Sequence, residues 1–332
     1  MPTAGTDYPQ NLVEFGSFFP DEEACHRFLE HLRWPNGFVC PHCKQAAPGW
    51  RMKNGLNLCS KCRKQISITA GTIFEGTRKP LLHWLLAAWE ITSQKYGASA
   101  LGIQRILGLK SYETAWAWLH KFRRAMVRPD RDRLSGELEV DETYLGGEEA
   151  AVRGRQTVSK AIVAIAVELK EGRIGRIRLR HVPDVSGSSL VGFVKDVAAP
   201  GCTVQTDGWP GYAGLSGEGF DHQVTVLSTS PDPAHVLMPS VYRVSALLKR
   251  WWLGIHQGAT SKEHLAYYLD EYTFRFNRRT SGSRGLLFYR LIEQSVRSQH
   301  VSTDKLFQGT GRGPTHGRNA ARQKGKAFEK AG

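Results

Sequence analysis

Residues 40–62 read CPHCKQAAPGWRMKNGLNLCSKC and contain two Cys-x-x-Cys pairs, Cys40 with Cys43 and Cys59 with Cys62. Two residues between thiolates let one tight turn direct both sulfurs at a single ion, and two such pairs complete a tetrahedral Zn²⁺ shell. The residues between the pairs are mostly basic or turn-forming, so the metal would supply the folding energy. The stretch therefore predicts a zinc ribbon with structural Zn²⁺. Redox dithiols or disulfides are the alternative, but the tandem pairs argue against them.

The composition indicates a protein with a polyanionic partner. The chain has 332 residues, 41% of them hydrophobic, a net charge of +14 and a pI near 9.6. Such a positive balance favours nucleic acid as the partner, although a merely solvated basic surface would give the same composition. No apolar run is long enough to span a membrane and the start lacks a signal-peptide pattern, so we expect a cytoplasmic protein that does not bind membranes.

Helical periodicity surrounds the cysteine stretch. A lead-in helix is predicted over 21–33, and the alternation in 66–74 predicts a strand that completes the ribbon. Helices are then predicted over 81–96, 99–107 and 111–127, with a tight turn before the last. This succession is typical of a helix-turn-helix, and a three-helix linker domain that binds nothing is the alternative.

The third of these helices carries the cationic side chains His120, Lys121, Arg123 and Arg124 beside an aromatic stripe. We expect the aromatic stripe to pack on the preceding helices and the basic side to face a DNA backbone or groove. The charged stretch from Arg128 to Ser135 predicts a domain boundary.

Strand periodicity begins at Glu137. Three strands are predicted over 137–145, 161–169 and 174–182, followed by a helix at about 186–198 and a strand over 202–206. Such an order predicts a mixed sheet with helices on its faces. The remaining predictions are a fifth strand over 224–227, helices over 241–253 and 262–277, and a basic, disordered tail over 309–332.

Two aspartates are predicted to stand at strand ends, Asp141 and Asp207. Carboxylates at the ends of neighbouring strands can approach closely enough to bind Mg²⁺, and a pair of such ions supports phosphodiester chemistry. Each aspartate alone would be read as a turn or cap residue. Together they indicate a metal site.

Several motifs resemble the ISXO-like bacterial insertion-sequence transposases. The motifs are Val-Asp-Glu-Thr-Tyr-Leu-Gly-Gly at 140–147, Thr-Asp-Gly at 206–208, Leu-Lys-Arg-Trp at 248–251 and Tyr-Leu-Asp-Glu-Tyr at 268–272. The resemblance implies an N-terminal zinc ribbon and a DDE-type, ribonuclease-H-like catalytic domain. It also implies metal-dependent cleavage and transfer of DNA strands at the ends of a mobile element.

Carried over residue by residue, the resemblance makes Asp141 and Asp207 ligands of catalytic Mg²⁺ or Mn²⁺ and makes Lys249 a contact to DNA phosphate. The third metal-site position of the family is Glu, Asn or His, and this chain has Tyr242 there. A phenol is a poor Mg²⁺ ligand at neutral pH. Either Tyr242 is a loss-of-function change, or His235, Asp232 or Glu271 completes the site, and a structural ion pair with Arg275 is the preferred role for Glu271.

The expected organisation is therefore α+β and multidomain. It comprises a lead-in helix and zinc ribbon (17–76), a helix-turn-helix segment (80–128), a ribonuclease-H-like mixed sheet flanked by helices (136–295) and the tail (309–332). Its expected partners are the terminal inverted repeats of the element, target DNA and a second copy of the chain, in the bacterial cytoplasm at the nucleoid. Two other functions stay open: a catalytically impaired or repurposed DNA-binding descendant, and a zinc-ribbon transcription regulator.

Overall fold

The computed structural model describes residues 2–46, 49–128, 130–146, 160–226, 231–257 and 261–308. The strands are β1 (Gly49–Arg51), β2 (Asn57–Cys59), β3 (Gln65–Ile66), β4 (Glu137–Leu145), β5 (Ala161–Lys170), β6 (Arg173–Val182), β7 (Thr203–Thr206) and β8 (Asp221–Val224). The helices are α1 (Leu12–Phe18), α2 (Glu22–Arg33), α3 (Leu81–Ser93), α4 (Ala100–Ile106), α5 (Tyr112–Ala125), α6 (Gly187–Val197), α7 (Ala234–Leu237), α8 (Pro239–His256), α9 (Lys262–Phe276), α10 (Arg284–Ser295) and α11 (Thr303–Phe307). The predicted tail over 309–332 lies outside the described residues.

The zinc ribbon is a small antiparallel sheet in the order β1-β2-β3. The strand predicted over 66–74 is wrong for most of its length, because β3 ends at Ile66 and turns follow. The side chain of Arg33 on α2 donates to the carbonyls of Ile68 and Ala70, which satisfies backbone groups that a strand would have paired. Ile73 and Phe74 then enter the core of the helices.

The helices on either side of the ribbon share one core. Their largest buried side chains form a cluster of aromatic rings, which includes Phe15, Phe19, Trp84, Trp89, Phe122 and Phe288. Phe288 belongs to α10, which packs on α2, α3 and α5. Residues 284–295, assigned from the sequence to the catalytic domain, therefore pack with the N-terminal helices.

Helices α4 and α5 begin where the sequence predicts. Ser99 and Ser111 cap them, each accepting a hydrogen bond from a backbone N–H in the first turn. The expectation that the basic side of α5 faces DNA is wrong for most of that side. His120 and Arg123 are buried against α9, and Lys121 is buried with its ammonium group near the ring of Trp84 on α3.

Strands β4 to β8 form a five-stranded mixed sheet in the order β6-β5-β4-β7-β8. Strands β4, β5 and β6 are antiparallel neighbours, whereas β7 runs parallel to β4 and β8 parallel to β7. The three antiparallel strands match the predicted ranges within one residue at each end. The strand predicted over 224–227 shares only Val224 with β8.

Helices cover both faces of this sheet. One face packs against α6, with Leu138, Val140 and Phe193 in its core. The other face packs against α8 and α9, with Val163, Val244 and Leu269 in its core. The predicted α+β class, with a mixed sheet between helices, is confirmed, and it is that of a ribonuclease-H-like domain. Among the described helices, none has both the length and the apolar character needed to cross a bilayer.

Candidate metal sites and catalytic face

The four ribbon cysteines converge as the sequence predicts. Cys40 Sγ lies 3.7 Å from Cys62 Sγ, Cys43 Sγ lies 3.8 Å from Cys59 Sγ, and all four sulfurs lie within 4.8 Å of one another. A tetrahedron with Zn–S bonds of about 2.3 Å has edges of about 3.8 Å. The spacing therefore fits structural Zn²⁺ with four thiolate ligands.

The two Cys-x-x-Cys turns have the same backbone geometry. Lys44 N donates to Cys40 O and Arg63 N donates to Cys59 O, each at 2.9 Å. Lys44 and Arg63 adopt φ values of 60° and 59°. This left-handed conformation is costly for residues other than glycine, so its repetition after each pair indicates a geometry imposed by the metal site. His42, which is exposed and lies 2.6 Å from Lys64 Nζ, is not part of the cluster.

Asp141 lies near the middle of β4, so its predicted place at a strand end is wrong. Its side chain lies on the face that carries Glu139 and Thr143, because successive side chains of a strand alternate between faces. The adjacent Glu142 lies on the opposite face, as predicted, where its carboxylate accepts a hydrogen bond from Tyr212 Oη at 3.0 Å. Burial and the negative charge of Asp141 raise the pKa of Tyr144.

Asp207 directly follows the last residue of β7, which agrees with its predicted place at a strand end. Strands β4 and β7 pair in parallel from Glu137 with Thr203 to Glu139 with Gln205. If the same register continued for two more residues, it would bring Asp141 opposite Asp207, since neighbouring strands lie about 4.8 Å apart. One oxygen of Asp207 also accepts a hydrogen bond from Trp209 N at 3.0 Å, which fixes the following turn.

Helix α8 is attached to this face at two points. Val241 N, in the first turn of α8, donates to Glu139 Oε2 at 2.8 Å. Ser245 Oγ, one turn later, donates to Thr143 Oγ1 at 2.8 Å. Because Glu139 and Thr143 flank Asp141 on the strand, these two bonds hold the first two turns of α8 over Asp141.

Tyr242 and Lys249 lie on one stripe of α8. They are seven residues apart, which corresponds to about two helical turns and 10 Å along the axis. Tyr242 is half-buried against the core between α8 and the sheet, whereas Lys249 is exposed. The stripe thus runs from a phenol at the core between α8 and the sheet to an ammonium group in solvent.

The other residues considered for the third position have different surroundings. Glu271 lies in α9, where its carboxylate is buried between Arg123 and Arg275, so it has the structural role preferred from the sequence. His235 and Asp232 are exposed. His235 belongs to α7, a short helix joined to β7 through the bond from Gln205 Nε2 to Leu237 O at 3.3 Å.

Glu139 was missed in the sequence analysis. It is only 3% exposed, and it accepts a hydrogen bond from the N-terminus of α8. Because side chains alternate along a strand, Glu139 lies on the same face as Asp141, and this pattern in the sequence could have identified it as a candidate site residue. Its partner lies 102 residues away along the chain, so no local pattern could reveal the contact.

Comparison with known proteins agrees with this architecture. Residues 20–65 match a transposase zinc-ribbon domain family, and residues 133–277 match an ISXO2-like transposase domain family. An uncharacterised protein of the transposable element ISH50 from Halobacterium salinarum is 26% identical over 275 residues, which cover 77% of this chain and 91% of that protein.

The two family matches are consecutive along the chain, and together they cover more than half of it. They coincide with the cysteine cluster and with the mixed sheet that carries Asp141 and Asp207. Such domains imply DNA binding and indicate a transposase of an insertion sequence. Residues 20–65 and 133–277 therefore form a transposase zinc ribbon followed by an ISXO2-like transposase domain.

Proposed function

We propose that this protein binds the terminal inverted repeats of its insertion sequence and cleaves and transfers DNA strands at Asp141 and Asp207. The observation that supports the proposal is the parallel register of β4 and β7, which pairs Glu139 with Gln205, the residues two positions before Asp141 and Asp207. Paired carboxylates with room for water and phosphate oxygens suit Mg²⁺ or Mn²⁺. Two such ions activate an attacking oxygen and stabilise a leaving oxygen in phosphodiester chemistry.

The roles of the protein groups follow from their positions. Asp141 and Asp207 supply hard oxygen ligands, and Glu139 and Thr143 hold α8 against the sheet. The exposed ammonium group of Lys249 is available to a DNA phosphate as a point charge. Cleavage proceeds by in-line attack of water and transfer by attack of the freed 3′-hydroxyl, and neither step needs a covalent enzyme intermediate.

Tyr242 stands at the expected position of the third metal ligand, so its role decides whether the metal site is complete. A phenol with an ordinary pKa near 10 stays protonated at neutral pH and binds Mg²⁺ poorly. We propose that the metal site depends on Asp141 and Asp207 and that Tyr242 packs beside it without being a ligand. Cleavage should then survive Tyr242→Phe. Loss of cleavage in Tyr242→Phe would assign the hydroxyl a role, and activity only in Tyr242→His would identify an impaired descendant.

The experiment uses the full chain and a duplex that carries the terminal inverted repeat of the element. Asp141→Asn and Asp207→Asn should each abolish Mn²⁺-dependent cleavage while DNA affinity is retained, because each removes a metal ligand and leaves the reading domains untouched. Asp196→Asn is the matched control, since Asp196 lies on α6 and pairs with Arg180 on the surface. Equal loss of binding and cleavage, or full cleavage by either aspartate variant, would refute the proposal.

Strand transfer requires two element ends to be held together. We therefore expect a dimer or larger assembly on DNA, by analogy with the family. Light scattering on the protein with and without a terminal-repeat duplex measures the stoichiometry. A single copy of the chain on each isolated duplex under all conditions of activity would contradict this expectation.

A further inference from the structure

A cationic cavity lies at the edge of the catalytic sheet, apart from the face that carries the aspartates. Its volume is about 290 Å³, and it lies between the end of α5, the segment that enters the catalytic half, edge strand β6 and the end of α9. Five arginines and one acidic residue line it, namely Arg128, Arg131, Arg176, Arg178, Arg278 and Asp132. Positive charge therefore exceeds negative charge five to one in the lining.

The acidic groups nearby do not balance this charge. Glu168 forms an ion pair with Arg176, with Arg176 Nε at 2.9 Å from Glu168 Oε2. Asp132 lies 4.0 Å from the same arginine. Both acids pair with Arg176 and act on Arg178 only through their charge, while the guanidinium groups of Arg178 and Arg278 donate to backbone carbonyls.

Two of the arginines, Arg178 and Arg278, are held in place by neutral groups. Arg178 donates to Ile177 O at 3.0 Å and to Asp132 O at 2.6 Å, and Arg278 stacks 4.0 Å above the ring of Phe274. Asn277 attaches α9 to β6 by accepting from Ile177 N and donating to Ile177 O. A cationic group that is already ordered loses little conformational entropy when it binds an anion.

Burial, and after it the neighbouring positive charges, lower the pKa of two of these arginines. Burial, followed by the positive charges of Arg131 and Arg176, lowers the pKa of Arg178 to about 10. Burial and the charge of Arg128 lower the pKa of Arg278 to about 10. An anion in the cavity would relieve both effects.

We propose that this cavity binds a phosphate group of the DNA backbone, at the junction between the DNA-reading helices and the catalytic sheet. The inference rests on the proposed function and adds a contact that the metal site does not contain. Planar guanidinium groups bind phosphate oxygens in pairs, which suits several arginines around one small space. The segment 128–133 connects α5 to β4, so a phosphate held here ties the position of bound DNA to the two halves at once.

The test measures binding of a terminal-repeat duplex without added divalent metal, so it does not depend on catalysis. Arg128→Gln changes an exposed lining residue, and Arg278→Gln changes a half-buried one. Arg297→Gln is the matched control, because it removes the same charge outside the cavity. The side chain of Arg297 is 59% exposed and pairs with Glu293. Loss of one phosphate contact should lower the slope of log affinity against log salt concentration by about one.

A second set of duplexes, each with one phosphate replaced by an uncharged methylphosphonate, locates the contact. At one position the replacement should weaken binding by the wild type and by Arg297→Gln, but not by Arg128→Gln. Equal effects of the replacement in all three proteins would overturn the proposal. If Arg278→Gln fails to fold, the result for Arg128→Gln alone tests the proposal.

Inorganic phosphate separates a DNA contact from a site for a free anion. If phosphate stabilises the wild type but not Arg128→Gln against heat, and both bind DNA with the same salt dependence, the cavity takes free anions and the DNA proposal is overturned. A wild type that binds no duplex DNA at any salt concentration would refute the proposed function as well. Loss of cleavage in Asp141→Asn with normal binding leaves the proposed function standing whatever the cavity variants show.

Discussion

Arg123 Nε donates to Glu271 Oε2 across 2.8 Å, and the two side chains are 2% and 1% exposed. The pair joins α5 to α9, and Arg275 Nε donates to the other oxygen of Glu271 at 3.0 Å. Burial alone would raise the pKa of Glu271, but the two arginines outweigh it and hold that pKa below its ordinary value. Helix α5 is thus fixed, through a buried charge cluster, to helix α9, which packs on the five-stranded sheet.

Removal of one partner from this cluster should be costly. Arg123→Met would leave Glu271 buried with less compensation, and a broken buried pair typically costs about 3–5 kcal/mol. Urea unfolding of the full chain measures the change in the free energy of unfolding. The control is Arg27→Met, since Arg27 pairs with Glu23 on the surface and should change little. A loss no greater than that of the control would show that the cluster does not hold the halves together.

A substitution at Gly97 would disturb the same charge cluster, because Gly97 lies against Glu271 and Arg275. Its φ is +96°, and a Cβ at this position would lie 2.4 Å from Glu271 Oε1. Gly97→Ala should therefore destabilise the protein through both backbone strain and displacement of the carboxylate. Gly37→Ala has a similar φ of +95° with nothing within 4 Å of its Cβ, so it isolates the backbone effect. Equal losses in the two variants would mean that the carboxylate yields at no cost.

Local patterns in the sequence predicted much of this fold. Strand β4 alternates with a period of two, β5 is a continuous apolar run, and the serines before α4 and α5 cap helices. The bounds of these elements could therefore be predicted closely. The cysteine spacing likewise predicted a cluster that the structure confirms. These features depend on residues close together in the chain.

The failures concern contacts between distant segments. The alternation in 66–74 predicts a strand, but Arg33 satisfies its carbonyls and Phe74 enters the helical core. The basic side of α5 was expected at DNA, but Glu271 lies 148 residues farther on and buries Arg123. Asp141 was expected at a strand end, although the strand predicted over 137–145, which the structure confirms, already puts it in the middle.

Zinc removal should unfold the ribbon alone. Its three short strands contribute few buried residues besides the cysteines, whereas the sheet and the helices have cores of their own. Cys40→Ser should reduce zinc content below one ion per chain and increase hydrogen exchange in 38–66, with exchange in β4 and β5 unchanged. Cys202→Ser is the control, because this buried cysteine lies outside the cluster and should leave the zinc content at one. Full zinc content in Cys40→Ser would contradict a four-thiolate site.

Acid should destabilise the protein in part through His256. Burial, and next the positive charge of Arg123, lower the pKa of His256 to about 3, against 6.5 for the unfolded chain. The folded state therefore favours the neutral ring. Below pH 6.5 the unfolded chain gains a proton that the folded chain does not, so stability falls with pH down to about pH 3.

His256→Phe keeps an aromatic ring against Tyr268, which lies 4.4 Å from His256 between ring centroids, and removes the proton. The free energy of unfolding of the wild type should fall below that of the variant by up to about 1.4 kcal/mol per pH unit as the pH drops below 6.5. Urea titrations from pH 8 to pH 4 measure both curves. Parallel curves over the whole range would show that His256 titrates alike in both states.

Glu139 should act on catalysis through the position of α8. Its carboxylate accepts Val241 N, so Glu139→Ala leaves a backbone donor without its partner at the start of the helix that lies over Asp141. A lost helix cap costs about 1 kcal/mol, and displacement of α8 should lower Mn²⁺-dependent cleavage without lowering DNA affinity. Glu139→Gln keeps an oxygen that can accept the same hydrogen bond, so it should restore both stability and most of the cleavage rate. If Glu139→Gln is as inactive as Asp141→Asn but as stable as the wild type, the carboxylate charge itself is required, and Glu139 would be a metal ligand instead of a positioning residue.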